Sequence, residues 1–427
     1  WRGFQQRRAV KKQVEDPANP GFQPVYLPGK KERAIWDERD RQKAFREAEE
    51  ARTRAILEAE EARVRAILEA EEARVRTLKE HHAKRVMLRQ MLVRRLKFLA
   101  AQGVQPVIVI ANSKSAGKTS TAIGVGTAIS EHTRKVVVAL PSTANTATVT
   151  IGMMAGIPDN ALTVEELLLN IDLYGSYRTL DEKLPRTDWG LGVVIESSRS
   201  SANDSDDALI APYMKAIDAT LPNVSALILD LGNDNISRTS IALQAARLGH
   251  VLVFPFMLDA PVTHGSLSTT MKAYSSDNGI PEDVEKTLYG NFANRSATGL
   301  SIPTPEKVRT SILVATRTNP EEGVNFKHFA SSGEQNSGTP DLTPWDGTGI
   351  CVPNEPSIGR KVDGKLVPYD YDEISPETDI AYLEIAVACF EITCAQQGRD
   401  IGEPMVAHLP AHYTTNPPAT PQGKEPS

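Results

Sequence analysis

The chain has 427 residues, a length that predicts two or three structural units. Its hydrophobic content of 40% is enough for one substantial core, but no apolar run reaches the ~20 residues that a transmembrane helix requires. The three cysteines (Cys351, Cys389 and Cys394) are too few and wrongly spaced for a zinc site or a disulfide framework, which favours a reducing, cytoplasmic compartment. The sequence begins at Trp1 rather than at methionine, so an upstream signal or anchor remains open.

The formal net charge of −6 conceals an uneven distribution. Residues 1–100 hold 25 Lys and Arg against 16 Asp and Glu, whereas residues 101–427 hold 23 against 38. We therefore expect the first hundred residues to contact any anionic partner, such as nucleic acid, a membrane surface or an acidic protein. The alternative is that these charges only form solvated helix faces.

The first hundred residues divide into an extended arm and a long helix. Residues 1–31 begin basic and become rich in proline and glycine, which is typical of a segment without a core. Residues 32–100 contain neither proline nor glycine and predict one continuous helix. Within it an 11-residue repeat begins at Ala48, Ala59 and Ala70, with alanines at steps of three, four and four. That period favours a straight or slightly right-handed helical assembly.

Each repeat also places Glu before Arg at i,i+4 spacing, as in Glu50–Arg54 and Glu61–Arg65. Such pairs are worth about 0.2–0.5 kcal/mol each, so several together can sustain a solvated helix. Ile56 lies outside the alanine row, so the apolar residues of the helix do not all lie on one face. Two interpretations stay open: a rod for self-association or partner docking, and a lone solvated helix.

The end of the helix, residues 84–98, is basic and amphipathic. Arg94 and Lys97 lie opposite an apolar face that consists of Leu88, Met91, Leu92, Leu96 and Leu99. Residues 84–97 therefore predict either a surface helix for DNA or membrane, or a helix packed against the domain that follows.

A strand, a polar turn and a helix follow one another from Gln105 to Ala128. Residues 107–110 are a β-branched apolar run typical of a buried strand, and the turn after them reads NSKSAGKT. This order is the context of a P-loop, in which backbone N–H groups and the positive end of a helix face a phosphate. The competing interpretation is a surface turn that happens to contain Gly-Lys-Thr.

We predict that nine residues of this turn bind a nucleotide: Asn112, Ser113, Lys114, Ser115, Ala116, Gly117, Lys118, Thr119 and Ser120. The Lys118 ammonium can reach the β- and γ-phosphates, and the Thr119 hydroxyl can ligate Mg²⁺. Asn112 replaces the usual first glycine, and asparagine tolerates left-handed backbone angles better than most residues.

From residue 105 onward the pattern predicts a doubly wound α/β domain with a mostly parallel sheet, extending to about residue 400. Further strands are expected at 135–140, 192–196, 226–230, 251–255, 311–315 and 349–352. Helices are expected at 118–130, 164–171, 204–219, 237–248, 263–274 and 379–395. Residues 318–348 and 353–376 predict loops, and residues 407–427 predict a disordered tail.

The strand at 226–230 ends in Asp230 and predicts the second half of the nucleotide site. In P-loop enzymes this position places a carboxylate beside Mg²⁺, so Thr119 and Asp230 are the predicted metal ligands. The loop after it, with Asn233 and Asp234, would then sense the γ-phosphate. The plainer alternative is an acidic residue that merely ends a strand.

These segments resemble the deviant Walker A ATPases of the ParA/MinD type over about residues 105–400. ANSKSAGKTSTAIGVGTAI is similar to their P-loop, and ATVTIGMMAGI to the region after their second strand. ALILDLGND resembles their Walker B strand, and SIALQAARLGHVLVFPFMLDAPVTHGSL the helix and strand after it.

The resemblance implies a P-loop NTPase domain that binds ATP and Mg²⁺, closes into a face-to-face dimer and offers a signature lysine, Lys114, across the interface. Lys114, Asp230 and Asp234 are the predicted catalytic residues. The family's catalytic aspartate has no counterpart, because no acid lies between Val136 and Asn145. We therefore expect slow hydrolysis.

The resulting hypothesis is nucleotide-dependent dimerisation coupled to partition, positioning, assembly or secretion of a partner. The alternative is a non-hydrolysing structural or adaptor protein that assembles through its N-terminal helix. A P-loop protein kinase would need clustered tyrosines, and the last thirty residues hold only Tyr413. We expect a homodimer or larger homo-oligomer, with a protein partner bound to the N-terminal helix. DNA or a membrane surface is a further possible partner, through residues 84–97. The expected location is cytoplasmic, with nucleoid or membrane association as options.

Overall fold

A computed structural model of the protein describes residues 29–112, 116–141, 151–158, 160–170, 180, 182–195, 213, 217, 220–231, 247, 249–258, 261–275, 304–318, 324–331, 345–363 and 365–409. The chain divides into two compact units, Trp1–His81 and His82–Ser427. None of the helices in the described ranges is both long and apolar enough to cross a bilayer.

The described part of the first unit is helical. It belongs to α1, which runs over Lys30–Ala101 and spans 72 residues without a break. Residues 29–81 are all exposed. Two of the predicted i,i+4 pairs form, with Arg54 3.6 Å from Glu50 and Arg65 3.8 Å from Glu61. The prediction of one continuous helix is confirmed.

The second unit contains a seven-stranded sheet with every neighbouring pair parallel. Its strands are β1 (Val107–Ile110), β2 (Val137–Pro141), β3 (Leu191–Val193), β4 (Ala226–Asp230), β5 (Val251–Met257), β6 (Ile312–Thr318) and β7 (Thr348–Pro353). Their order is β3-β2-β4-β1-β5-β6-β7, so the P-loop strand β1 lies between β4 and β5. The prediction of a doubly wound, parallel α/β domain is confirmed.

Helices cover both faces of this sheet. After α1, the helices whose bounds lie within the described ranges are α2 (Lys118–Thr133), α3 (Ile151–Ala155), α4 (Val164–Leu169), α5 (Pro261–Ser275), α6 (Thr304–Arg309), α7 (Phe326–Ser331) and α8 (Pro376–Gln396). The position of strand β1 in the sheet explains why all of its residues are apolar, instead of apolar residues alternating with polar ones. Ile108 and Ile110 belong to one hydrophobic cluster, and Val107 and Val109 to another on the opposite face. A parallel strand between two helical layers has no solvent-facing side.

The last turns of α1 belong to the core of the second unit. Leu92, Leu96 and Leu99 are fully buried in the cluster that also contains α8 residues such as Leu383. The packed alternative for residues 84–97 is therefore correct for this apolar face. Met91 is an exception, because 44% of it is exposed and it does not join the buried face as predicted.

Three arginines of this segment pair with acids of α8: Arg85 with Glu377, Arg89 with Asp379, and Arg95 with Glu391. Much of the positive charge that the sequence offered to an anionic partner is therefore neutralised within the unit. Lys84, Arg94 and Lys97 remain exposed.

Several short elements lie where the sequence predicted loops. They are α7, the hairpin of β8 (Lys361–Val362) with β9 (Lys365–Leu366), and the 3-10 turn Tyr371–Glu373. Elements of two to six residues carry too little periodicity to be detected locally. Ala407, at the start of the predicted tail, is buried and donates its N–H to Glu391. Most residues of the helices expected at 204–219 and 237–248 lie outside the described residues, as do residues 410–427.

Candidate functional site

The candidate site lies at the carboxyl ends of two neighbouring strands. β1 and β4 are paired so that Ile110 lies opposite Asp230, and the N–H of Leu231 donates to the Ile110 carbonyl over 3.1 Å. The polar turn that follows β1 and the acid that ends β4 therefore meet at one edge of the sheet. In parallel α/β sheets this edge is where ligands bind.

The end of the turn depends on a glycine. Gly117 has φ 88° and ψ 18°, in the left-handed region, and α2 begins at the next residue. A Cβ atom built on Gly117 would lie 3.2 Å from the Thr316 side chain, and any side chain is strained at this φ. Thr121 then closes the first turn, because its hydroxyl donates to the Gly117 carbonyl over 2.8 Å.

Asn112 acts through its side chain. Among the described non-glycine residues, positive φ occurs at Arg134, Arg317 and Asp363, so Asn112 does not use the left-handed angles that asparagine tolerates. Its amide nitrogen instead donates to the Pro255 carbonyl on β5 over 2.6 Å. The buried amide thus ties the start of the turn to the strand on the other side of β1.

The first turn of α2 presents a cation and a hydroxyl to this edge. Lys118 is 8% exposed, and a lysine this buried normally has a polar or charged partner. The Thr119 hydroxyl donates to the Asp230 carboxylate over 2.8 Å, and Asp230 is 7% exposed. The structure therefore brings together both predicted metal ligands, which are far apart in the sequence.

The remaining predicted site residues are placed only in part. Ala116 is fully buried beneath the turn, and Ser120 is half-buried in the first turn of α2. Ser113, Lys114 and Ser115 lie outside the described residues, as does Asp234. Lys114 and Asp234 are two of the three predicted catalytic residues, and their roles stay predictions.

A hydroxyl beside a carboxylate suits Mg²⁺ better than a softer metal. Magnesium prefers oxygen ligands and is usually held by one or two protein groups together with phosphate oxygens and water. Thr119 and Asp230 supply that donor set. In the described ranges no cluster of three or more His, Cys, Asp or Glu side chains offers an alternative metal site.

Close packing holds α2 in place behind the turn. A Cβ atom on Gly124 would lie 2.4 Å from the Tyr382 ring of α8, and one on Gly126 would lie 2.7 Å from Leu191 on β3. Both glycines let the helix approach its neighbours closely. Gly124, Gly126 and the contacts of Asn112 with β5 could not be predicted from the sequence, because no local pattern indicates which distant residues they meet.

Comparisons with known proteins give similarities of shape at low sequence identity. No model of a protein family matches the chain, and no curated protein matches it. Cobyrinic acid a,c-diamide synthase from Mycobacterium smegmatis with bound ADP and magnesium is 16% identical, with a TM-score of 0.39, covering 72% of this chain and 100% of that chain. A complex of Cyanothece McdA with ATP is 12% identical, with a TM-score of 0.41, covering 69% of this chain and 97% of that chain.

The cell division ATPase MinD from Pyrococcus furiosus is 13% identical, with a TM-score of 0.39, covering 67% of this chain and 99% of that chain. Similarities at this level do not show what this chain binds or does. The class of domain follows from the chain's own architecture, a parallel sheet with a strand–turn–helix of P-loop type beside a strand that ends in aspartate. It is a doubly wound, parallel α/β domain with the architecture typical of P-loop NTPases, and a long α-helix precedes it in the chain.

Proposed function

We propose that this chain binds ATP together with Mg²⁺ at the turn between β1 and α2, and that nucleotide binding promotes its dimerisation. The observation that carries the proposal is the hydrogen bond from Thr119 to Asp230, next to the left-handed Gly117 and the buried Lys118. An ordinary surface turn would not be expected to join a hydroxyl at the start of a helix to a carboxylate at the end of a neighbouring strand.

Each group has a defined role in this proposal. The N-terminal end of α2 and the Lys118 ammonium face the phosphates, because both favour negative charge. Thr119 and Asp230 would hold the metal, which would supply positive charge beside the phosphates. Asn112 ties the start of the turn to β5 through its hydrogen bond to the Pro255 carbonyl.

Hydrolysis in this proposal is slow without a partner. The region after β2 contains no acid up to Asn145, so a group that orients water in the resembling family is missing from the sequence. Losing such a group typically costs about 10²–10⁴-fold in rate. Nucleotide would then serve mainly to hold a dimer closed, and Lys114 would act across the dimer interface.

The dimer would position, partition or help to assemble a partner. The exposed helix of the first unit, residues 30–81, offers a protein-docking surface. Lys84, Arg94 and Lys97, with the exposed Met87 and Met91, offer a smaller basic and apolar face for DNA or membrane. This face differs from the one that the sequence indicated, because Leu92 and its neighbours are buried.

A second function is favoured by the same missing acid. The chain would then be an adaptor that binds nucleotide without turnover and assembles through α1. The two hypotheses differ in one measurable quantity, the rate of ATP hydrolysis in the presence of a stimulating surface.

The test measures MgATP binding by calorimetry, with EDTA as the metal-free control, and follows oligomeric state by light scattering. Hydrolysis is measured alone, with DNA and with anionic lipid vesicles. Magnesium-dependent ATP binding that shifts monomer toward dimer supports the proposal. Absence of ATP binding overturns it, and binding with no turnover under any of these conditions favours the adaptor.

A further inference from the structure

The helix of the first unit has one face whose repeat is unbroken over the three 11-residue units. Its members are alanines at steps of three, four and four, and we call them the alanine face: Ala48, Ala51, Ala55, Ala59, Ala62, Ala66, Ala70 and Ala73. All are exposed. At 1.5 Å per residue the face is about 38 Å long, and an 11-residue period keeps it straight on the helix surface.

Opposite charges border the two edges of the alanine face. With 11 residues in three turns, Arg52, Arg63 and Arg74 lie along one edge. Glu58 and Glu69 lie along the other edge. The two borders are each of one sign, which is the arrangement that sets orientation when two helices pair.

These border charges are only partly used within the helix. The i,i+4 ion pairs of the repeats, Glu50–Arg54 and Glu61–Arg65, involve other positions. Arg63, Glu58 and Glu69 form no ion pair within the described part of the chain, whereas Arg74 lies 3.7 Å from Glu71. The borders are thus available to a second helix.

We propose that the alanine face binds the same face of a second copy of this chain, as a parallel, in-register pair of helices. In a parallel pair the Glu border of one helix faces the Arg border of the other. A residue on the Glu border of one helix lies opposite the residue five positions later in the sequence, on the Arg border of the other helix. Glu58 therefore meets Arg63 of the second copy, and Glu69 meets Arg74 of the second copy. An antiparallel pair would place Arg beside Arg and Glu beside Glu.

The competing apolar face does not fit a helical partner as well. Ile56, Val64, Ile67 and Val75 also form a row, and all are exposed. Glu60 and Glu71 lie in the middle of that row, so pairing through it would desolvate the Glu60 carboxylate and the Glu71–Arg74 ion pair, which is costly. A long helix that lacks tertiary contacts gains stability from a packed face, and the alanine face allows close approach without burying charge.

Charge reversal tests the pairing in the full-length protein without nucleotide. R63E/R74E makes both borders acidic, and E58R/E69R makes both basic, so each variant should weaken self-association about tenfold or more, because four interhelical pairs become repulsive. A mixture of the two variants should restore association. E61R/E72R is the matched control, since it makes the same two charge changes at the same 11-residue spacing on the opposite side of the helix.

Sedimentation should show wild-type association that weakens in high salt, loss in each double variant and recovery in the mixture. A monomeric wild type, unaffected double variants, or equal weakening by E61R/E72R would overturn the proposal. Repeating the series on a Lys118→Ala background separates it from the nucleotide proposal. Association through α1 should persist there even if ATP binding is lost.

Disulfide trapping tests orientation and register. Ala48→Cys and Ala70→Cys should each cross-link to itself under mild oxidation, because a parallel, in-register pair brings identical residues together. Wild type gives the background of the natural cysteines, of which Cys389 and Cys394 are buried. Cross-linking only in a mixture of the two variants would show an antiparallel pair, and self-cross-linking of Val64→Cys alone would show that the other face is used. Either result overturns the proposal.

Discussion

The Thr119 hydroxyl donates a hydrogen bond to the Asp230 carboxylate over 2.8 Å, although the two residues are 111 positions apart. The contact joins the first turn of α2 to the end of β4 and forms one side of the candidate nucleotide site. Lys118, the neighbour of Thr119, is buried at the same edge of the sheet. Substitutions at these positions therefore test the site directly.

Lys118→Ala should lower ATP affinity about tenfold or more, because a charge-assisted contact in a desolvated site is worth about 1.5–3 kcal/mol. Calorimetry with MgATP measures the change. Lys361→Ala, which removes an exposed lysine from the β8–β9 hairpin, is the control and should bind like wild type. Equal affinities of the Lys118 variant and wild type would mean that the turn is not a nucleotide site.

Asp230→Asn should remove most of the magnesium dependence of ATP binding, because a neutral amide is a weaker ligand for Mg²⁺ than a carboxylate. The amide keeps the volume and can still accept from Thr119, so folding should be little affected. ATP affinity is compared with Mg²⁺ and with EDTA, and Asp363→Asn serves as the surface control. If the two variants respond alike to Mg²⁺, the assigned metal site is wrong.

Lys114→Ala should weaken ATP-dependent dimerisation more than ATP binding by the monomer, if Lys114 reaches the phosphates of a neighbouring subunit. The measurements are light scattering with and without ATP, and calorimetry at low protein concentration.

Turnover of the isolated protein should be very slow, since no acid lies between Val136 and Asn145. Brisk turnover that Asp234→Ala abolishes would contradict the slow-hydrolysis prediction and assign the missing role to the loop after β4.

Glu391→Gln should strongly destabilise the second unit. Glu391 is completely buried, accepts from Arg95 Nε over 2.8 Å, and also accepts from the N–H groups of Met405, Val406 and Ala407. Removing one member of such a buried pair costs about 3–5 kcal/mol, because the other charge is left without compensation.

Urea unfolding measures this change, with Glu403→Gln as the matched control because the Glu403 side chain is exposed. Similar midpoints for wild type and Glu391→Gln would show that the Arg95–Glu391 contact contributes little. The same experiment reports on how the end of α1 is held, since Arg95 also donates to the Ile401 carbonyl over 2.7 Å.

His250 should make stability fall in mild acid. Burial, with a smaller contribution from the Lys307 charge, lowers the pKa of His250 to about 4. Its Nδ1 accepts from the Val107 N–H over 3.1 Å at the start of β1, which requires the neutral ring. Between pH 4 and the unfolded value of about 6.5 the unfolded chain binds more protons, so the free energy of unfolding decreases as pH falls, by up to about 3 kcal/mol.

His250→Gln removes the titrating group but keeps an acceptor for Val107. The difference between its urea midpoints at pH 7 and pH 5 should be smaller than in wild type. An unchanged difference would show that His250 does not titrate with the lowered pKa. Because Lys307 has a pKa lowered to about 7, its own contribution changes above this window rather than within it.

Local patterns in the sequence determined much of this protein. The β-branched run at 107–110, the Gly-Lys-Thr turn and the apolar strand that ends in Asp230 predicted the parallel α/β domain, and they singled out Thr119 and Asp230, which the structure brings together. The absence of proline and glycine from 32–100 predicted α1. Each of these signals depends on a few neighbouring residues, so their periodicity or backbone preference is readable without knowing what they contact.

Only the tertiary structure decided which distant groups meet. Asn112 serves through its bond to Pro255 rather than through its backbone angles, and Leu92 with its neighbours packs into the domain instead of facing a partner. Arg95 belongs to the basic segment 84–97 that the sequence indicated as a possible contact for DNA or membrane, but it is paired with the buried Glu391. A side chain's solvent exposure and its charge partner depend on chain segments that are distant in the sequence, and the pattern around a residue does not contain that information.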